Sequence, residues 1–98
     1  MRRGTTPTLN FTINNDLTGY ARVILTLKGS GKQLDFESER LAVSSDSLSV
    51  TLTQEETLGF RGNAEAQVRA VTSEGVAVAS DICELDFGRI LKEGVIDA

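Results

Sequence analysis

Carboxylates are the only side chains in this sequence that are numerous enough to support catalysis or metal binding. The 98 residues include no histidine and one cysteine, Cys83. This removes the usual general base, the Ser/His/Asp and Cys/His arrangements, and any cluster of thiolates. Three acidic groups remain, namely Glu37/Glu39, Glu55/Glu56 and Asp81/Glu84/Asp86. An enzyme or a cation site in this chain would depend on these carboxylates.

The surroundings of the acidic groups do not favour catalysis. Glu37 and Glu39 share one face of an extended segment, as a glycosidase or a calcium site would require. However, the chain has one tyrosine, four phenylalanines and no tryptophan, so an aromatic platform for a sugar is not evident. We interpret the acidic groups as solvated faces or helix caps. We therefore expect no enzymatic activity, no cofactor and no metal.

The elements that must position any functional residue are strands, because apolar and polar residues alternate with a period of two. The pattern is clearest in residues 47–71, where inward positions are occupied by Leu48, Val50, Leu52, Ala64, Ala66, Val68 and Ala70. Between these two segments, Thr53 and Glu56 have the spacing of a capping box at the start of a short helix. The sequence predicts an all-β fold, a single immunoglobulin-like antiparallel β-sandwich of about seven strands with one short helical turn.

Turns and a change of phase complete the predicted sandwich. Residues 29–32 (GSGK) are similar to the end of a phosphate-binding loop but lack its other positions, so we predict a hairpin loop. Asn14, Asn15 and Asp16 should end the first strand, and Leu17 should plug the end of the core. Val76 and Val78 have the opposite phase to Cys83, Leu85 and Phe87, which predicts a single bulge between Ala79 and Ile82. We expect Cys83 to be a small core residue.

The chain divides into three parts. Residues 1–6 are predicted to be a flexible lead, residues 7–87 the β-sandwich domain, and residues 88–98 an amphipathic tail with one helical turn ended by Gly94. The tail contains four aliphatic residues, Ile90, Leu91, Val95 and Ile96. They must be buried on their own domain or on a partner, and the sequence leaves both alternatives open.

Charge and hydropathy limit the kinds of partner. The net charge is −4, which argues against nucleic acid, because phosphate binding requires clustered Lys and Arg. The adjacent Arg2 and Arg3 are interpreted as a solubilising terminus. No segment approaches the roughly 20 apolar residues of a membrane helix, and we expect neither a membrane nor a small-molecule substrate as partner. Protein contacts remain, with Tyr20 and Ile24 on a polar face, and Ile90, Leu91, Val95 and Ile96 in the tail, as candidates.

Four segments carry a resemblance to a known family. They are RGTTPTLNFT (residues 3–12), VTLTQEET (residues 50–57), AQVR (residues 66–69) and ILKEGVI (residues 90–96). Together they resemble a family of small structural proteins of tailed phages and prophages of Gram-positive bacteria, and the resemblance spans nearly the whole chain. More distantly, the layout is similar to the N-terminal domain of phage baseplate upper proteins. Those domains hold a larger protein onto the tail tip.

The resemblance implies a virion structural or assembly protein of the tail, baseplate or head. Its implied partners are other phage structural proteins or further copies of the same chain. Its implied location is the virion, with the host bacterial cytoplasm before assembly. The alternative is a carbohydrate-binding or host-surface-binding module on the same scaffold, and a third hypothesis is an enzyme of the carboxylate type. The motifs of the family are structural, so the resemblance assigns no catalytic or ligand-binding residue.

Overall fold

The strands predicted from the alternating pattern form, and they assemble into two antiparallel sheets. The computed structural model describes residues 1–13 and 16–98. Within these ranges the elements are β1 (Thr8–Thr12), β2 (Arg22–Gly29), β3 (Lys32–Phe36), β4 (Leu41–Val43), β5 (Ser47–Thr51), α1 (Gln54–Leu58), β6 (Gly62–Val71), β7 (Ala77–Ala79) and β8 (Cys83–Phe87). The first sheet has the order β1-β5-β4, and the second has the order β3-β2-β6, with β7 and β8 on the other side of β6.

The core lies between the two sheets and confirms the predicted all-β sandwich. Its buried apolar residues are Leu17, Val23, Leu25, Leu27, Phe36, Leu48, Val50, Leu52, Phe60, Ala64, Ala66, Val68, Ala70 and Phe87. Buried and exposed residues alternate along β2 and β6, as a strand with one face in the core requires. Seven strands result if β7 and β8 are counted as one interrupted strand.

The interruption between β7 and β8 is the predicted bulge. Ala79 lies opposite Arg69 and Cys83 lies opposite Ala66, so four steps along the edge strand match three steps along β6. One extra residue is therefore inserted, and the phase changes.

The prediction that Cys83 is a core residue was wrong, although its phase was as expected. Cys83 lies opposite the buried Ala66 and so points to the inner side of its sheet. It is exposed nevertheless. The reason is its position on an edge strand, at the rim of an open cleft where, among the described residues, the opposite sheet does not cover the inner face.

Turn chemistry agrees with the sequence at the two hairpins of the larger sheet. Ser30 and Gly31 join β2 to β3 with φ angles of 54° and 74°, as a two-residue hairpin loop with positive φ at both positions requires. Gly75 takes φ 91° in the turn before β7. The GSGK segment is thus a hairpin loop, as predicted.

The segment around Leu17, ahead of β2, closes one end of the sandwich. Leu17 is 3% exposed and plugs the core, as predicted. Asp16 accepts hydrogen bonds from the amide and the hydroxyl of Thr18 at 3.0 and 2.6 Å, and these bonds lower the pKa of its carboxyl. Asn14 and Asn15, which were expected to end the first strand together with Asp16, lie outside the described residues.

Both ends of the chain lie against the sandwich. The main chain of Arg2 pairs with that of Gly88 in a parallel bridge, and the Gly88 amide donates to the Met1 carbonyl at 2.6 Å. Residues 88–98 contain no helical turn, so that prediction was wrong. Gly94 has the positive φ, 95°, that is expected of a glycine ending a helix, but the residues before it form no helical turn. In the part of the chain that the structure describes, no helix has the length and apolar character to cross a membrane.

Candidate functional site: the clasped tail

Helix α1 is the element around which the candidate site is built, and its start is fixed by the predicted capping box. The Thr53 amide donates to Oε1 of Glu56 at 2.8 Å, and the Glu56 amide donates to Oγ1 of Thr53 at 3.2 Å. Arg40 adds two hydrogen bonds to the same carboxylate at 2.7 and 3.0 Å. Burial raises the pKa of Glu56, but the bonds from Arg40 and Thr53 outweigh it and hold this pKa below its ordinary value.

The end of α1 is fixed by a buried arginine from the N-terminal segment. Arg3 is 4% exposed, although the sequence suggested a solubilising terminus. Its Nε donates to the Phe60 carbonyl at 2.7 Å, and its Nη2 donates to the Leu58 carbonyl at 2.8 Å. The guanidinium is thereby oriented by the main chain that follows the helix, and Nη1 faces the tail.

A glutamate of the tail completes the hydrogen bonding of Arg3. Both carboxylate oxygens of Glu93 accept from Nη1 of Arg3, at 2.8 and 2.9 Å. Arg61 donates to the same carboxylate at 3.1 Å. The hydrogen bond from Arg3, together with the charges of Arg3 and Arg61, holds the pKa of Glu93 below its ordinary value. The tail is therefore attached by a charge-assisted contact to a buried cation.

A second attachment holds the tail three residues further on. The Gln54 side chain accepts from the Ile96 amide at 2.8 Å and donates to the Ile96 carbonyl at 3.1 Å. A side-chain amide thus pairs with one residue of extended main chain, in the way a neighbouring strand would. We call Arg3, Gln54, Arg61, Glu93 and the main chain of Ile96 the terminal clasp.

The four tail residues predicted to make protein contacts do not share one environment. Ile90 is half-buried, with its Cδ1 beside Gly4 and the Leu58 side chain. Leu91, Val95 and Ile96 are 90%, 45% and 62% exposed. We call these last three residues the outward stripe. The clasp therefore holds the tail on its own domain while most of the apolar surface of the tail faces solvent.

The other two predicted contact residues, Tyr20 and Ile24, are not brought together. Tyr20 is half-buried and packs against the core. Ile24 lies on the outer face of β2, in a shallow depression with polar and charged side chains that include Arg22, Asp35 and Arg69. They do not form one surface.

The carboxylates considered at the outset are dispersed over the structure. Glu37 pairs with Arg22 at 2.6 Å, and Glu56 belongs to the capping box. Glu84 and Asp86 are two positions apart on β8, so their side chains share the outer face of that strand, away from the core. Across residues 1–13 and 16–98, no group of three or more His, Cys, Asp or Glu side chains is arranged to hold a metal ion.

An open cleft of about 470 Å³ lies on the other side of the molecule, between β1 and the bulge. Its apolar lining includes Phe11, Ile13, Leu17 and Val78, and Cys83 lies on its rim. The cleft exists because β1 and the β7–β8 strand are both edge strands, and the two sheets do not close over the core there. This feature was not predicted, since alternation along one strand does not show how far the opposite sheet extends.

Fold and site together define a small β-sandwich with a side-chain-held tail. Comparisons with family models, with curated proteins and with solved structures found no match to this chain. The function must therefore be inferred from the residues of the site and from the resemblance seen in the sequence.

The decisive residues of the clasp were the least evident in the sequence. Arg3 and Glu93 are ninety positions apart, and neither belongs to a periodic pattern. The nearest signals were the apolar content of the tail, which required some form of docking, and the capping box, which located α1.

Proposed function

We propose that this chain is a non-enzymatic structural or assembly protein of a tailed-phage virion that acts through protein–protein contacts. The observation that carries the proposal is the outward stripe. Three aliphatic side chains of the tail stay exposed while Glu93 and the main chain of Ile96 attach the tail to the domain. Scattered exposed apolar residues are common on protein surfaces, but half of the six large apolar side chains that are exposed in the described structure lie within residues 91–96, and such a concentration is typical of an interaction site.

The clasp supports this role because it reduces the entropic cost of binding. A tail that moved freely would lose conformational entropy when a partner bound it, whereas a clasped tail has lost much of it already. The outer edge of β1 pairs with no strand in the described residues and provides a second type of contact, since an edge strand can accept a strand from a neighbour. The phage assignment itself comes from the sequence resemblance. Four segments carry this resemblance, and they are distributed over nearly the whole chain.

Mass spectrometry of purified particles, from a host culture that carries the gene, tests the proposal. The expected result is the chain present in stoichiometric amount with other structural proteins. Its absence from the particles would contradict a virion role. The neighbouring genes then distinguish the head from the tail, according to which structural genes flank this one.

A pair of double variants tests whether the outward stripe makes the contact. Leu91→Ser with Ile96→Ser should lower incorporation into particles by about tenfold, because two apolar anchors are lost. The matched control is Val76→Ser with Ile82→Ser, since both residues are 57% exposed but lie outside the tail. The control should be incorporated like the wild type. Equal loss from both double variants would show that general surface hydropathy, and not the tail, matters.

A further inference from the structure

The surface beneath the tail has the construction of a peptide-binding site. Its walls are the N-terminal residues Arg2 to Gly4, helix α1 and Arg61, and residues 89–98 lie across it. In the described structure no main-chain to main-chain hydrogen bond joins residues 89–98 to the domain. The attachments run through the side chains of Arg2, Arg3, Gln54, Arg61 and Glu93, so the tail can detach without breaking a β-ladder.

The receptor half of this site is organised independently of the tail. Two of the three nitrogens of the Arg3 guanidinium are fixed by the carbonyls of Phe60 and Leu58. The remaining nitrogen, Nη1, binds the carboxylate of Glu93. A buried guanidinium held in this way is preorganised for one carboxylate, so little ordering is required when the ligand arrives.

The ligand half has a short and regular pattern. Ile90 places its side chain against Gly4, Glu93 binds the two arginines, and Ile96 offers its main chain to Gln54. The three contacts are spaced three residues apart. Gln54 binds only main-chain atoms, so the specificity of the site comes from the glutamate and from one aliphatic side chain.

We propose that the same site binds residues 89–98 of a second copy in exchange for the chain's own tail, so that copies are joined by their tails. Every copy carries both the acidic ligand and the two arginines that complement its charge, so exchange can re-form each contact of the clasp between two copies. The inference rests on the proposed function, because it takes the tail as the contact element. It deepens that function by naming one partner, a second copy of the chain.

Competition by the chain's own tail determines when exchange takes place. A tethered segment has an effective concentration on the order of millimolar. Free chains in dilute solution therefore keep their own tails, and exchange requires the high local concentration of an assembly. The outward stripe remains on the surface of either arrangement, because its side chains are not part of the clasp.

Peptide binding to the full chain tests the site directly. The Glu93→Arg chain should release its own tail, since the new arginine faces Arg3 and Arg61. A fluorescent peptide of residues 89–98 should bind this chain, measured by anisotropy, and the same peptide with Glu93→Gln should bind at least about tenfold more weakly. The wild-type chain should bind the unmodified peptide at least about tenfold more weakly than the Glu93→Arg chain does, because the tail of the wild-type chain competes for the site. No binding, or equal binding of both peptides, would overturn the proposal.

Mixing two full-length variants tests exchange between copies. The Glu93→Arg chain keeps the arginines but has no usable tail, and an Arg3→Met chain keeps the tail but has no usable site. Native mass spectrometry should find a heterodimer in the mixture and not in either sample alone. Circular dichroism of each variant verifies that it is folded, and a mixture of folded monomers would overturn tail exchange. These measurements use purified protein, whereas the proposed function is tested by incorporation into particles. Failure of tail exchange would therefore not by itself contradict the proposed function.

Discussion

The core of the sandwich and the terminal clasp are held together by different kinds of contact. In the core, apolar side chains from both sheets are buried on strands that share continuous ladders of main-chain hydrogen bonds. In the clasp, one buried guanidinium and one side-chain amide hold a segment without such a ladder. The core is cooperative, whereas the clasp can open while the rest of the molecule remains folded.

The difference indicates where stability and where interaction are located. Burial of fourteen apolar residues accounts for the folded state, because the hydrophobic effect is the dominant favourable contribution to folding. The clasp contributes less energy, but it determines the position of Leu91, Val95 and Ile96. Variants that change one region and not the other separate these roles.

The largest effect is expected in the core. Leu27→Ala should lower the free energy of unfolding by about 2–5 kcal/mol, because Leu27 is fully buried and truncation leaves a cavity. The same substitution at Leu91, which is 90% exposed, should change it by less than about 0.5 kcal/mol. Urea denaturation of both variants measures the difference. A similar cost at both positions would mean that the tail is part of the core.

The next effect is expected at Arg3. Arg3→Met should lower the free energy of unfolding by about 1–3 kcal/mol, because the carbonyls of Leu58 and Phe60 lose their donor. Arg2→Met is the matched control, since Arg2 is exposed and donates one hydrogen bond, to the Arg89 carbonyl. The free energy of unfolding of Arg2→Met should lie within about 0.5 kcal/mol of the wild-type value in the same denaturation experiment. Equal losses of stability in the two variants would show that the effect at Arg3 comes from the change in net charge.

A smaller effect is expected at the helix that supports the clasp. Thr53→Ala should cost about 1 kcal/mol, because the Glu56 amide loses its side-chain acceptor. Thr53→Ser keeps the hydroxyl and should recover most of this loss. Thermal unfolding of the two variants, measured side by side, checks the difference. If alanine and serine have the same effect, the capping box does not contribute.

The parts that could be predicted from sequence are those in which neighbouring residues determine the structure. Alternation gave the strands and the inward residues, the spacing of Thr53 and Glu56 gave the cap, and the change of phase after Val78 gave the bulge. Each of these signals lies within about ten residues of sequence, and each depends on a local rule of backbone geometry.

The parts that could not be predicted depend on distant residues or on coverage by the opposite sheet. Arg3 meets Glu93 only because both ends of the chain lie beside α1, which local pattern does not encode. Cys83 has the phase of a core residue but lies where the other sheet does not reach. The tail had the apolar spacing of a helical turn, but Glu93 and Ile96 bond to the domain instead.

Acid should weaken the clasp in a defined direction. Because Arg3 holds the pKa of Glu93 below its ordinary value of 4.5, the contact is fully stabilising above that pH. Its contribution decreases as the pH falls below 4.5 and is lost once the pH passes through the folded-state pKa. The side-chain carboxyl carbon of Glu93, followed by NMR, should titrate with a midpoint below 4.5. In Glu93→Gln this titration should be absent, and a wild-type midpoint above 4.5 would contradict the ion pair.

The central claim is that the tail is a separately held segment on a stable sandwich, and hydrogen exchange of Glu93→Gln tests it most directly. The Ile96 amide donates to Gln54 in the clasp. Its exchange should become at least about tenfold faster in the variant, while the amides of β2 and β6 keep the protection of the wild type. Faster exchange of all of them together would show that the tail belongs to the cooperative core. Unchanged exchange at Ile96 would show that Glu93 does not hold the tail.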